Sequence, residues 1–314
     1  MPRLKVAVVG AGNMAGEHIR AFADVPNVEI AGIHSRTRSR AEELAREHGI
    51  PAVCDSVEEL HEATGAELAV VAVSETSMNA VSRSCFEYPW AVLLEKPPGY
   101  SLAVGEDILQ AAVEAGSRVY VGLNRRFLSS TRAALADLES RSGPRFIHVQ
   151  DQQDLSAAAS LGHPREVVDN WMYANSIHVI DYIRLFGHGD VVNVIPIAPW
   201  CGEDTHVVLA KVEFDSGDIG LYEGLWKGPG PWAVSVSTSE TRWEMRPLEQ
   251  ALFQPTGERR QYPVDPHPWD LDFKPGFRLQ AQMAVAAALG KPSESPTLSD
   301  AMETMGLIAA IFRQ

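Results

Sequence analysis

The chain has 314 residues, 45% of them hydrophobic and 22% charged, which is enough for about two globular domains. Its net charge of −14 argues against nucleic acid or an anionic membrane as the main partner, since both need clustered Lys and Arg, but leaves room for a locally basic pocket. The cysteines, Cys54, Cys85 and Cys201, have no metal or disulfide spacing. No apolar stretch precedes a cleavage site and no run approaches the ~20 residues of a membrane span, so a cytoplasmic protein with reduced thiols is expected.

Taken in chain order, the sequence alternates short apolar runs with segments of helical period. A strand is expected over Leu4–Val9, followed by the turn Gly10-Ala11-Gly12-Asn13-Met14-Ala15 and a helix over Ala15–Asp24. The pattern G-x-G-x-x-G/A after a strand and before a helix has a physical use. The first glycine permits the tight turn, the second lets backbone approach a pyrophosphate, and the small third residue lets helix and strand pack. The helix N-terminus then offers free N–H groups to the phosphates. Gly10, Gly12, Asn13 and Met14 are therefore candidate dinucleotide contacts.

The next strand, Val28–His34, ends in IHSRTRSR. NAD sites usually place an acid there for the ribose hydroxyls. Here Ser35 stands in that place, followed by Arg36 and Thr37. Hydroxyls and a guanidinium suit a 2′-phosphate, so NADP(H) is favoured over NAD(H). Helices are expected over Thr37–His48 and Val57–Glu62, a strand over Leu68–Val73, and a helix over Ser77–Phe86. Between that strand and helix, Ser74 and Thr76 are candidate cofactor contacts, while Glu75 is an unusual neighbour for a nucleotide. A strand over Trp90–Leu94 runs into Glu95-Lys96-Pro97-Pro98, and a helix over Leu102–Ala115 and a strand over Arg118–Val121 follow. Alternating strand and helix give a parallel sheet, and runs such as LAVVAV fit strands buried on both faces. The carboxyl ends of such strands face the ligand crevice. Glu95 and Lys96 would therefore point toward the cofactor, and a lysine against apolar walls can act as a proton donor or carbonyl polariser.

The pattern changes after Asn124. A helix over Arg126–Ser140 leads into FIHVQDQQD, and another is expected over Ile177–Phe186. Strands follow over Val191–Ile197, His206–Phe214, Ile219–Trp226, Ala233–Ser239 and Arg242–Arg246, with helices over Gly276–Leu289 and Ser299–Phe312 at the end. The expected fold class is α/β: an N-terminal Rossmann dinucleotide-binding domain, residues 1–123, plus a C-terminal α/β domain with an open, predominantly antiparallel sheet, residues 124–314. The last helix is a candidate to pack near the first domain. The stretch 152–170 is read as a mobile substrate loop.

In this order, GAGNMAG, EKP at 95–97, VGLNRRF at 121–127, SIHVIDYIRLFG at 176–187 and SDAMETMGLIAAIF resemble the glucose–fructose oxidoreductase/inositol dehydrogenase (Gfo/Idh/MocA) family across nearly the whole chain. The resemblance implies a hydride-transferring NAD(P)-dependent dehydrogenase or reductase acting on a polyol, cyclitol, sugar or ketosugar. It gives Lys96 a place beside nicotinamide and substrate, Glu95 a supporting one with a candidate cis peptide before Pro97, and the second domain's sheet the subunit interface of a homodimer or homotetramer. His178 matches the family's active-site histidine. The acid commonly found four residues before it is replaced by Ala174, which puts the usual Lys/Asp/His set in doubt. Asn175 and Ser176 are good helix caps, which would place His178 in a first turn that disfavours imidazolium. Asp181 is expected to be structural. Tyr173, Asn175, Arg125, Arg126, Arg165, Trp226 and Lys227 are weaker candidates for lining a pocket. Two other readings share the fold: an enzyme with tightly held, recycled NAD(H), and a non-catalytic sensor.

Overall fold

The computed structural model describes residues 3–313. By contact the chain forms two compact units, one running to Asn124 and joined by Leu271–Met302, the other Arg125–Asp270 with the chain from Glu303 onward.

The first unit is built on six parallel strands: β1 Leu4–Val9, β2 Val28–His34, β3 Val53–Cys54, β4 Leu68–Val71, β5 Ala91–Glu95 and β6 Arg118–Gly122, in the order β3-β2-β1-β4-β5-β6. This is the order of a dinucleotide-binding Rossmann sheet. Its helices are α1 Asn13–Ala23, α2 Arg38–His48, α3 Val57–Thr64, α4 Met78–Phe86 and α5 Leu102–Ala115. β4 and β5 are buried along their whole length, as expected of strands covered on both faces. Ser56 and Ser101 cap α3 and α5 by accepting from Glu59 and Val104 N–H groups.

The helix Phe277–Ala288 groups with this first unit and not, as expected from a single cut at residue 123, with the second. The reason is packing: Phe277, Ala281 and Ala284 form an i, i+4, i+7 stripe within the core beside Ala15, Ile19 and Phe22 of α1. The buried Arg278 guanidinium also donates to the Asp24 carboxylate at 2.6 Å. The grouping divides the last helix, Leu298–Phe312, after Met302.

The second unit carries an eight-stranded sheet: β7 Phe146–Gln152, β8 Val191–Ala198, β9 Val207–Phe214, β10 Ile219–Leu225, β11 Ala233–Ser237, β12 Thr241–Met245, β13 Ala251–Pro255 and β14 Tyr262–Val264. The order is β14-β13-β12-β11-β7-β10-β9-β8, antiparallel except where β10 runs parallel to β7. Its helices include α6 Ser129–Leu138, α7 Leu155–Ser160, α8 Arg165–Asp169 and α9 Ile177–Phe186. One sheet face packs under α9, where a Cβ on Gly220 would stand 2.7 Å from Ile183 Cγ2. On the opposite face Phe146, Ile195, Val207 and Ile219 are exposed. The stretch read as a mobile loop instead contains α7 and α8; the Asp154 carboxylate caps α7 by accepting from the Ser156 and Ala157 N–H groups.

Candidate functional site

The register of the first sheet levels its carboxyl ends. Val9 pairs with His34 and with Val71, and Val71 pairs with Leu94. The glycine turn, Ser35-Arg36-Thr37, Ser74–Thr76 and Glu95-Lys96 therefore leave the sheet along one edge, the ligand edge of an open α/β sheet.

Gly10 has φ +114°, and a Cβ there would lie 2.1 Å from the Ala72 carbonyl oxygen. Its N–H donates to His34 O at 2.8 Å, tying the turn to the end of β2. Gly12 precedes α1, and a Cβ there would meet nothing within 4 Å, so the space before the helix is open. No side chain caps α1, which leaves its leading N–H groups and positive dipole end for an anion. Asn13 is exposed, Met14 is half-buried, and Ala15 is fully buried as the small third residue. This arrangement fits a dinucleotide pyrophosphate.

At the end of β2, Ser35 is half-buried and its hydroxyl accepts from the Thr37 N–H at 3.2 Å; Arg36 and Thr37 are exposed. Arg38 is taken by Glu42 and Asp55. Arg36 enters no ion pair among the described residues. After β4, Ser74 and Thr76 are exposed and the Ser74 hydroxyl donates to Ser77 Oγ at 2.9 Å.

Glu95 closes β5 with 7% exposure, and Lys96 beside it is half-buried. The Lys96–Pro97 peptide is cis. Pro97, Pro98 and Gly99 are buried, and a Cβ on Gly99 would stand 2.4 Å from Gly105 N, so the chain lies directly on α5. The sequence reading missed His18. It is 1% exposed on the inner face of α1, and its Nε2 lies 2.6 Å from Glu95 Oε1. Glu95 Oε2 accepts from the Lys96 N–H at 3.2 Å. Burial alone would raise the Glu95 carboxyl; the His18 hydrogen bond and charge, then the Lys96 charge and N–H, outweigh it and hold the group below its ordinary value. The available signal for His18 was a polar residue on the buried Ala15/Ile19/Phe22 stripe.

In the second unit His178 is half-buried near the start of α9, with its ring 6.0 Å from that of Trp232. It does not occupy a capped first turn. A π turn, Met172–Ser176, runs into α9; Ser176 is itself helical and its side chain makes no cap. The dipole argument from a free helix start therefore fails. Ala174 and Tyr173 are buried, and Asn175 donates to Gln153 Oε1 at 2.8 Å. Arg126 is not available for substrate, because it grips the buried Asp181 through two 2.7 Å bonds, and Thr304 donates to the same carboxylate. Arg125 pairs with Glu249. Arg165, Trp226 and Lys227 do come together, lining a cavity of about 700 Å³ with Asp154, Trp200 and Glu203. There, Arg165 pairs with Asp169 and Glu203, and Lys227 with Asp204.

A second unread feature is Asp151, 1% exposed on β7. It accepts from Tyr222 Oη at 2.9 Å and Gln153 Nε2 at 2.6 Å. Burial raises its carboxyl above the ordinary value even though these donors pull it down.

Residues 4–123 match the family described as "Oxidoreductase family, NAD-binding Rossmann fold", GFO_IDH_MocA. Over these residues, within the first unit alone, the chain is similar to the Gfo/Idh/MocA oxidoreductases. The human trans-1,2-dihydrobenzene-1,2-diol dehydrogenase is 24% identical over 303 residues, 87% of this chain and 84% of that one. The rabbit (Oryctolagus cuniculus) enzyme of the same name is 34% identical over 113 residues, spanning 35% of this chain and only 33% of the relative. A levoglucosan dehydrogenase solved in complex with NADH and L-sorbose shares the fold, with a TM-score of 0.80 at 18% identity over 100% of this chain and 96% of that one. The match thus falls on the unit whose edge carries the glycine turn and the Glu95-Lys96 pair. Among the described residues no group of His, Cys, Asp and Glu is arranged to hold a metal, and no helix is long and apolar enough to cross a membrane.

Proposed function

We propose that this chain is a Gfo/Idh/MocA-type oxidoreductase, an NADP(H)-preferring dehydrogenase of vicinal diols, cyclitols or sugars. The observation that carries the reading is the levelled sheet edge, which sends the open glycine turn and Lys96 out on the same side. Gly10, Gly12, Asn13 and Met14 would hold the pyrophosphate; Ser35, Arg36 and Thr37 the ribose and its 2′-phosphate; Ser74 and Thr76 the rim, while Glu95, buried with its two oxygens on His18 and the Lys96 N–H, supports Lys96 from behind instead of touching the cofactor as the sequence suggested. Bound there, the dinucleotide supplies the hydride acceptor or donor. Lys96 donates to the substrate oxygen and takes or gives its proton. His178 is assigned, from the family resemblance, to position the substrate hydroxyl or pass the proton on. The dehydrogenase names and bound sugar of the relatives support this substrate class.

The test is turnover of the full chain with NADP⁺ and NAD⁺ against a vicinal diol, a cyclitol and an aldose. Substrate-dependent formation of reduced nucleotide, faster with NADP⁺, is expected. A chain that binds nucleotide and oxidises none of them would count against the dehydrogenase reading. Arg36→Ala is expected to weaken NADPH about 10- to 100-fold, the equivalent of a charge-assisted contact, while leaving NADH unchanged. An equal effect on both nucleotides would overturn the 2′-phosphate assignment.

A further inference from the structure

A histidine and a glutamate meet in the core of the first unit. His18 is 1% exposed and Glu95 7%, and they approach to 2.6 Å across 77 residues of sequence. A carboxylate only accepts, so His18 Nε2 carries the hydrogen and donates it. His18 Nδ1 makes no hydrogen bond among the described residues, so Glu95 is the ring's hydrogen-bond partner there. The ring is wedged against Phe277 at 4.8 Å and Phe22 at 6.2 Å, with the Lys274 ammonium 5.6 Å from the Phe277 ring. Gln280 is the other buried polar neighbour: a Cβ on Gly122 would stand 3.6 Å from Glu95 Oε1 and 3.7 Å from Gln280 Nε2.

Two facts turn this pair into more than a buried contact. His18 lies on α1, five residues beyond Asn13, on the helix whose N-terminus faces the open phosphate space. Glu95 uses its second oxygen to hold the Lys96 backbone N–H. One carboxylate thus joins the dinucleotide-binding helix to the backbone of Lys96. A buried pair of this kind is a poor stabiliser compared with apolar packing, because desolvation offsets most of the attraction. Its specific effect is to fix geometry.

We infer that His18 is a positioning residue: through Glu95 it sets the placement and electrostatic surroundings of Lys96 and ties both to the dinucleotide-binding helix. The catalytic weight of this inference rests on the reading of Lys96 as the proton-transferring group, but the tie between the residues does not.

The test is therefore made without turnover. The full-length chain is labelled with a trace of an amine acetylating reagent, and modification of Lys96 is compared by mass spectrometry with that of Lys211 and Lys291 in the same sample. In Glu95→Gln the carboxylate beside the ammonium is gone, and Lys96 is expected to react roughly tenfold faster, the equivalent of one pKa unit. In His18→Leu the buried Glu95 loses the donor that holds its charge and orientation, so Lys96 labelling should shift in the same direction. His18→Gln keeps an N–H donor and should restore part of the wild-type rate. Combining His18→Leu with Glu95→Gln should add little to either alone. A purely structural role would lower the melting temperature and leave Lys96 labelling unchanged relative to the other lysines; that result, in either folded variant, would overturn the inference. A change in labelling beside a chain that oxidises no polyol would keep the tie and remove the dehydrogenase reading.

Discussion

Lys96→Met is expected to reduce turnover by roughly 10²- to 10⁴-fold, the range for loss of a positioned acid–base group. Methionine keeps the apolar stem that this half-buried position requires and removes the amine. Lys96→Arg should be slow as well, because a guanidinium keeps its proton at any working pH. The loss should fall on kcat, with NADPH affinity changed far less, since the proposed phosphate and ribose contacts lie on other segments of the edge. Steady-state rates beside a fluorescence titration separate the two. Turnover that survives Lys96→Met within a factor of a few would move the proton chemistry elsewhere, with His178 the next residue to test.

Gly10→Ala should damage the fold and the site together. At φ +114° a side chain is strained whatever the space, and here the space is filled: the new Cβ would stand 2.1 Å from the Ala72 carbonyl oxygen. Neither β1 nor the chain leaving β4 can retreat easily, because Val9 and Val71 are paired in the middle of the sheet. A cost of roughly 2–4 kcal/mol is expected, a large part of the ~5–15 kcal/mol of a typical domain. Urea denaturation should show a lower midpoint, and NADPH binding should be lost even where the variant remains folded. Gly12→Ala is the contrast. Its Cβ meets no protein atom within 4 Å, so it should be nearly neutral for stability and should weaken the dinucleotide alone. A Gly10→Ala chain with wild-type stability and binding would contradict the account of the turn.

The sequence made the first unit legible because its signals are local. The glycine turn, the strand Leu4–Val9 and the helix Leu102–Ala115 each arise from a few adjacent residues, and the structure places them as read, while the strand read over Leu68–Val73 ends at Val71. β3 was not seen because two residues carry no period. β13 and β14 lie at one edge of the second sheet with weak alternation, and their half-exposed residues resemble turns. Asn175-Ser176 read as a cap because capping residues look alike in sequence; the π turn that absorbs them depends on the neighbouring Gln153 and Trp171, which donates to the same Gln153 oxygen as Asn175. The candidate site was legible in its motifs at Gly10, Gly12 and Lys96, which leave the sheet along one edge. It was illegible at His18, because the meaning of a histidine on a buried stripe lies in a carboxylate 77 residues away. Arg126 failed as a substrate contact for the same reason: Asp181, 55 residues further on, claims it.

The central claim is that the edge of the first sheet is a nicotinamide dinucleotide site. Titration of the intact wild-type chain with NADPH, followed by nicotinamide fluorescence, tests it most directly, after an acid extract of the same preparation has been checked for nucleotide already bound. The account expects saturable binding of one NADPH per chain, tighter than NADH. A nucleotide-free, folded chain that binds neither would contradict it.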